Sequence, residues 1–246
     1  MTRCLIGLGS NLGDRGVLLA EAIEQLGRMS GIDIIAQSTL HETAPVGGPA
    51  GQPSFLNGAL TLNSTLAPLD TLAVLRQIEQ QSGRQRHVRW GARTLDLDLL
   101  LFGNAVLDLP ELVVPHPRMS FRRFVLAPAI EVAADWQHPT IGWTLGELWR
   151  HLHDSPRSVV LVTDNEPFAR DLAARVQEQL HDTTSTGDFE LLIRPTGWDA
   201  SSLKPRLIVS FDGEPRPGQG PVLSLRQSDL ATAVQEVSAA VLAGVV

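Results

Sequence analysis

Residues 94–102, TLDLDLLLF, alternate polar and apolar side chains up to Leu99 and then run apolar. Side chains two apart on a strand share a face, so the stretch is predicted to be a strand with Asp96 and Asp98 side by side. Adjacent carboxylates repel, and a hard cation such as Mg²⁺ offsets this while keeping water and phosphate oxygens as further ligands. The plainer alternative is a wet outer face with two solvated aspartates. Just upstream, residues 84–95 contain no acid but carry Arg84, Arg86, Arg89 and Arg93, and a second acid-free stretch, 115–124, carries His116, Arg118, Arg122 and Arg123. Carboxylates for a metal beside guanidiniums for phosphate point to a nucleoside triphosphate site. Against this stands a general use of arginine in place of lysine, since Lys204 is the sole lysine.

Outward from this strand, Cys4 to Leu8 reads as a short apolar strand running into GLGSNLGD (7–14), after which Leu19, Ile23 and Leu26 recur at helical spacing. Gly7-x-Gly9 imitates a dinucleotide fingerprint, but residue 12 is Leu, and the segment is read as a tight strand-to-helix turn. No GxxxxGK[ST] sequence is present, which excludes an ordinary P-loop. An extended stretch over 32–40 leads to a Pro/Gly-rich loop, ETAPVGGPAGQPSF (42–55), and then to a strand through Leu60 and Leu62. Pro68 and Gly83 bracket a helix bearing Leu72, Leu75 and Ile78, with Glu79 in its last turn. Thr144 and Glu147 form a capping box for a helix with Leu148, Trp149 and Leu152. Phe55, Asn57 and Phe124, each ordinary alone, together offer aromatic faces and an amide edge to a flat heterocycle.

The chain has 246 residues, 43% hydrophobic and 19% charged, enough for one or two globular domains with a full core. Its single cysteine, Cys4, permits neither an internal disulfide nor a thiolate zinc site. A net charge of −7 argues against general nucleic-acid or acidic-membrane binding. No basic, apolar leader and no apolar run near ~18 residues is seen, so a cytoplasmic protein is expected. Past Ser155 and Pro156 the texture changes: SVVLV, FELLI, RLIVSF and PVLSL read as strands, with helices at 167–180 and 229–243 and a polar loop at 181–188. The order β-α-β-β-β-α predicts a smaller, largely parallel, Rossmann-like or flavodoxin-like α/β unit, dividing the chain into 1–154 and 155–246.

GLGSNLGD, ETAPVGGPAGQPSFLN, RWGARTLDLDLLLFG and VPHPRMSFRRFVLAP stand in one order. Together they closely resemble the 6-hydroxymethyl-7,8-dihydropterin pyrophosphokinases of folate biosynthesis, over residues 1 to about 153. The resemblance implies a ferredoxin-like α+β sandwich with a mainly antiparallel sheet. It also implies transfer of the ATP β,γ-pyrophosphoryl group to the pterin hydroxymethyl oxygen, with release of AMP. Carried across, Asp96 and Asp98 hold two Mg²⁺ ions, Arg84 and Arg93 close over the phosphates, His116 and Arg122 complete the anion clamp, and Trp90 helps a lid close. The pterin stacks between Phe55 and Phe124 and bonds Asn57 and the backbone at Thr43, Ala44 and Val46. Glu79 supports the nucleotide site from its helix, and Leu99 meets adenine through its backbone.

Three positions depart from the family pattern. Arg76 stands where a nucleotide-contacting glutamine is frequent, Pro117 where an aromatic often follows the motif histidine, and Phe55 where tyrosine is common. The first two touch ATP, and the third keeps its ring. Residues 155–246 lie outside the resemblance. LVTDNEPFARDLAARVQEQL with RLIVSFDG, ending near Asp212, looks weakly like a response-regulator receiver, but Lys204 is in the wrong place for its late lysine. A degenerate receiver-like module for dimerisation or for docking a protein partner is the expectation, ahead of an independent ligand site. Two other functional readings stand beside the enzyme: a non-catalytic pterin or nucleotide sensor signalling through the C-terminal unit, and a phosphoryl transferase acting on another heterocyclic alcohol. Intact Asp96, Asp98, Arg84, Arg93 and His116 favour the enzyme.

Overall fold

The computed structural model describes residues 1–83, 91–181, 189–199, 203–211, 220–225 and 229–244. Its first part runs β1 (Thr2–Ser10), α1 (Arg15–Gly27), β2 (Ile32–Gln37), β3 (His41–Thr43), β4 (Phe55–Ser64), α2 (Pro68–Gln81) and β5 (Asp96–Phe102). A small hairpin, β6 (Leu107–Asp108) with β7 (Val113–Val114), and a 3-10 turn (Met119–Phe121) then lead to α3 (Arg123–Ala133) and α4 (Leu145–Asp154). The second part is β8 (Ser158–Val162), α5 (Glu166–His181), β9 (Glu190–Arg194), β10 (Leu207–Ser210), β11 (Val222–Ser224) and α6 (Leu230–Gly244).

The first sheet has the order β2-β4-β1-β5, with β3 added alongside β4, and every pairing is antiparallel. Alternation along the strands gives it two buried faces. Cys4, Ile6, Leu8, Leu60, Leu62, Leu97 and Leu99 pack against Leu19 and Leu26 of α1 and Leu75 and Ile78 of α2. Leu5, Ala59, Leu100 and Leu101 join Leu126 and Ala129 of α3 and Leu148 and Leu152 of α4. Each leucine so buried contributes about 1.5–3 kcal/mol relative to exposure. Local chemistry sets the helix starts: Asp14 Oδ1 accepts the Val17 N–H at 3.1 Å, and Thr144 and Glu147 form the reciprocal box read from the sequence.

The second sheet is parallel throughout, in the order β11-β10-β8-β9. Val159, Leu161, Leu207 and Val209 from it and Leu172, Val176, Val237 and Val241 from α5 and α6 belong to the same apolar cluster as Phe121 and Leu126. The two sheets therefore share one continuous core. Lys204 takes a left-handed φ of 44° in the turn before β10, and Asp212 lies outside the described residues.

Two local expectations are corrected. Gly7 and Gly9 lie inside β1, not in the turn that follows it, and the extended stretch over 32–40 is a strand only as far as Gln37, with β3 starting beyond it at His41. The Pro/Gly-rich loop is also shorter at both ends, because His41–Thr43 pairs with Phe55–Asn57 and draws both segments into the sheet. No described helix is long and apolar enough to cross a membrane.

Candidate active site

Strand register builds the floor of the site. Gly9 lies between Asn57 on β4 and Asp96 on β5, and Gly7 lies between Ala59 and Asp98 in the next row. Missing side chains at these two central positions leave a groove between the amide and the carboxylates. A Cβ at Gly9 would fall 3.1 Å from Asn57 Oδ1 and 3.8 Å from Asp96 Cβ. Glycine serves here by its bareness, the close-approach use of a strand glycine.

Above this floor opens a cleft of about 740 Å³. Its lining brings together Thr43, Ala44, Val46, Phe55, Asn57 and Phe124 with Arg93, Asp96, Asp98 and Arg122. Asn57 is buried, and its Nδ2 donates to Thr43 Oγ1 at 2.8 Å. The Asn57 carbonyl oxygen and its second N–H are left to address an occupant. Arg93 donates to and ion-pairs with Asp96, so part of the carboxylate charge is already met by the protein.

A second cation of the cleft is Arg122, whose guanidinium carbon sits 5.5 Å from the centroid of the Phe124 ring. Burial, then the charge of Arg118, brings its pKa down to about 10 against the opposing pull of Asp98 and Asp96, and it remains charged at neutral pH. His116 does not line the cleft. Its N–H donates to the Leu100 carbonyl at 2.9 Å, and its Nδ1 accepts the Arg118 N–H at 3.2 Å. Burial and the charges of Arg122 and Arg118 push its pKa down to about 3. The ring is thus neutral near pH 7, and with Nδ1 accepting, its proton resides on Nε2 as a hydrogen-bond donor.

The remaining singled-out residues are dispersed. Glu79 is buried and accepts the Leu97 N–H at 2.8 Å, so it bolts α2 to the strand between the two aspartates and does not line the cleft. Leu99 is buried in the core on the opposite face of β5. Arg76 donates to the Glu111 carbonyl at 3.1 Å, away from the cleft lining. Arg84 and Trp90 lie outside the described residues.

Asn11 was not singled out by the sequence. It is buried at 1% exposure, its Nδ2 donates to the Pro53 carbonyl at 3.2 Å, and its Oδ1 accepts the Arg93 N–H at 2.7 Å. One side chain therefore ties the Pro/Gly-rich loop to the arginine segment. The signal lay in the polar residue directly after an apolar strand and its glycines, the kind of position that ties a loop by side-chain hydrogen bonds.

Two carboxylates on one strand face suit a hard cation that keeps oxygen ligands from water and substrate phosphate. Among the described residues no cluster of three or more His, Cys, Asp or Glu side chains is placed to hold a metal. Asp96 and Asp98 fit an ion that takes further oxygen ligands from water and a polyphosphate.

Comparison with known proteins gives a consistent result. Residues 5–134 match the model of the 7,8-dihydro-6-hydroxymethylpterin-pyrophosphokinase family. The 2-amino-4-hydroxy-6-hydroxymethyldihydropteridine pyrophosphokinase of Pseudomonas aeruginosa is 46% identical over 137 residues, which cover 56% of this chain and 84% of that protein. The enzyme of the same name from Synechocystis is 41% identical over 144 residues, covering 58% of this chain and 73% of its own length. Among solved structures, the crystal structure of wild-type Plasmodium falciparum HPPK-DHPS with pteroate aligns with 96% of this chain and 60% of its own, at a TM-score of 0.49 and 14% identity. With a family model matched over more than half its length and a relative 46% identical across most of that relative's sequence, the chain belongs to the 7,8-dihydro-6-hydroxymethylpterin-pyrophosphokinase family.

Proposed function

We infer that this chain is an ATP-dependent pterin pyrophosphokinase of folate biosynthesis. The pterin hydroxymethyl oxygen attacks the β-phosphorus of ATP, the bond to the bridging α-phosphate oxygen breaks, and pterin diphosphate, AMP and a proton are released. The observation that carries this reading is the row Asn57–Gly9–Asp96, which sets a heterocycle-reading amide and a phosphate-facing carboxylate side by side across a bare groove. Family membership supports it.

Within the cleft, Phe55 and Phe124 offer faces for stacking, while Asn57, with the backbone at Thr43, Ala44 and Val46, addresses the polar edge of the ring. Arg93 and Arg122 hold the phosphates from the cleft wall, and neutral His116, set behind that wall, backs the clamp. Asp96 and Asp98 would hold Mg²⁺, two ions on this reading, supplying charge neutralisation and a template for the triphosphate oxygens. Arg93 leaves Asp96 for a phosphate oxygen as the nucleotide enters. Electrostatic positioning is then the main source of rate, as in phosphoryl transfer generally.

We read residues 1–154 as a ferredoxin-like sandwich. Residues 155–246, whose sheet order is 2-1-3-4 when its strands are counted within the unit, are read as flavodoxin-like. The deciding experiment is AMP formation by the full chain from ATP, Mg²⁺ and 6-hydroxymethyl-7,8-dihydropterin. AMP release that requires the pterin is the expected result. Calorimetric pterin binding with no AMP would replace the enzyme by a sensor.

A further inference from the structure

The second part of the chain reaches the site through α6. Midway along that helix stands Glu236, its one charged residue, only 3% exposed among buried Ala233, Val237, Ala240 and Val241. Its Oε1 accepts from Arg118 Nη2 at 2.8 Å, across 118 residues of sequence. A carboxylate taken out of water is costly unless paired, and a buried ion pair is often no more stabilising than apolar residues of the same volume. Core stability alone therefore gives no reason for a charge at this position. What the charge does fix is an orientation.

Arg118 lies between His116 and Arg122 in its segment. Its backbone N–H holds Nδ1 of His116, and its charge presses on Arg122. Its guanidinium is drawn toward α6: Arg118 lines a second cavity of about 310 Å³ with Glu236 and Ala240, and it is absent from the lining of the main cleft. That cavity shares Val46, Arg122 and Phe124 with the main cleft, so these three residues form the wall between the two. The helix is seated at a second point by Gly244, where a Cβ would fall 2.3 Å from the Phe121 carbonyl oxygen. Backbone contact at Phe121 and an ion pair at Arg118 thus bracket the turn that leads into Arg122.

Resting on the function inferred above, we propose that Glu236 is a positioning residue for pyrophosphoryl transfer. By holding Arg118 on α6 it keeps a competing cation out of the cleft and fixes the turn that carries His116 and presents Arg122 to the phosphates. The C-terminal unit is then part of the catalytic machinery of this chain, acting through Arg118 without touching substrate.

The test uses the full chain and the variants Glu236→Gln, Arg118→Gln and the double variant, with ATP, Mg²⁺ and the pterin, reading kcat, both KM values and Tm. A misplaced phosphate clamp predicts a kcat loss of about tenfold in Glu236→Gln, with both KM values within about twofold and Tm little changed. Because the two residues act as one unit, the double variant is expected to lose no more than the weaker single variant. Wild-type kcat in Glu236→Gln, or losses that multiply in the double variant, overturns the proposal. If Glu236→Gln does not fold, Arg118→Gln, changed at the more exposed partner, decides. A fall in kcat alone supports positioning, whereas wild-type kcat or a raised KM for ATP rejects it. A wild-type chain without pterin-dependent AMP release would instead refute the underlying function.

Discussion

Asn11 and Arg93 exchange two backbone-directed hydrogen bonds: the Asn11 N–H donates to the Arg93 carbonyl at 3.1 Å, and the Arg93 N–H donates to Asn11 Oδ1 at 2.7 Å. Arg93 in turn grips Asp96, so the turn after the first strand sets the position of a cleft-lining cation and, through it, of a carboxylate. Asn11→Ala removes this acceptor and the donor to Pro53 together. Loss of buried hydrogen bonds predicts destabilisation of about 1–3 kcal/mol, seen as a lower midpoint in urea, together with reduced kcat. A variant with native stability and full turnover would disprove the clamp.

Asp98→Ala should fold normally, since the residue lies on the cleft face of β5 and not in the core. Turnover is expected to fall by about 10²–10³-fold or more, the scale for losing a preorganised electrostatic group. Calorimetric pterin affinity should change far less. Turnover unchanged from the wild type, with the same dependence on Mg²⁺, would contradict a ligand role for Asp98.

Gly9→Ala tests the bare floor. The added methyl group meets Asn57 Oδ1 at 3.1 Å and must push the amide aside. An increase of about tenfold in KM for the pterin, or ~1.4 kcal/mol, is expected with a smaller change for ATP. Equal effects on both substrates would place the groove elsewhere.

Acid stability follows from His138, 6% exposed, whose ring Nδ1 accepts the Ile141 N–H at 3.4 Å and meets Thr140 Oγ1 at 3.1 Å. Burial lowers its pKa from 6.5 to about 4. The folded state therefore binds fewer protons than the unfolded chain between those values. Its contribution is fully present above pH 6.5 and is lost as pH falls toward 4, by on the order of 3 kcal/mol. His138→Asn, which keeps a side-chain acceptor, should lessen the pH dependence of Tm across this window, leaving the share that comes from His116. An unchanged slope would reject the assignment.

Ending the chain at Asp154 strips the covering from Phe121 and from the part of the cluster that contains Leu126, Leu148 and Leu152. Several apolar side chains at about 1.5–3 kcal/mol each approach the whole stability of a typical domain. The shortened chain is expected to lose its cooperative melting transition or to aggregate. Native Tm and undiminished AMP release would make residues 155–246 an accessory.

Elements were legible where the code is local. Alternation marked β5 and the face shared by Asp96 and Asp98, Thr144 and Glu147 marked a helix start, and the order of strands and helices after Pro156 foretold a parallel sheet. Gly7 and Gly9 were misread because glycine is a turn signal in any local window. Their purpose is set by register against Asn57 and Asp98, a property of three strands together. Asn11 escaped notice for a similar reason, its side-chain partners lying 42 and 82 residues away. The resemblance assigns Glu79 a supporting role and Leu99 a backbone role at the nucleotide; packing adds the local detail that Glu79 fixes the strand between the two aspartates and that the Leu99 side chain belongs to the core.

The continuous core also orders events during synthesis. Phe121 and its neighbours leave the ribosome well before α6, whose Gly244 closes over the Phe121 carbonyl. At 5–20 residues per second, the intervening stretch takes on the order of ten seconds to emerge. For that interval the nascent first unit carries an uncovered apolar flank beside its future cleft. Activity is therefore expected only after α6 has been made and has covered this flank.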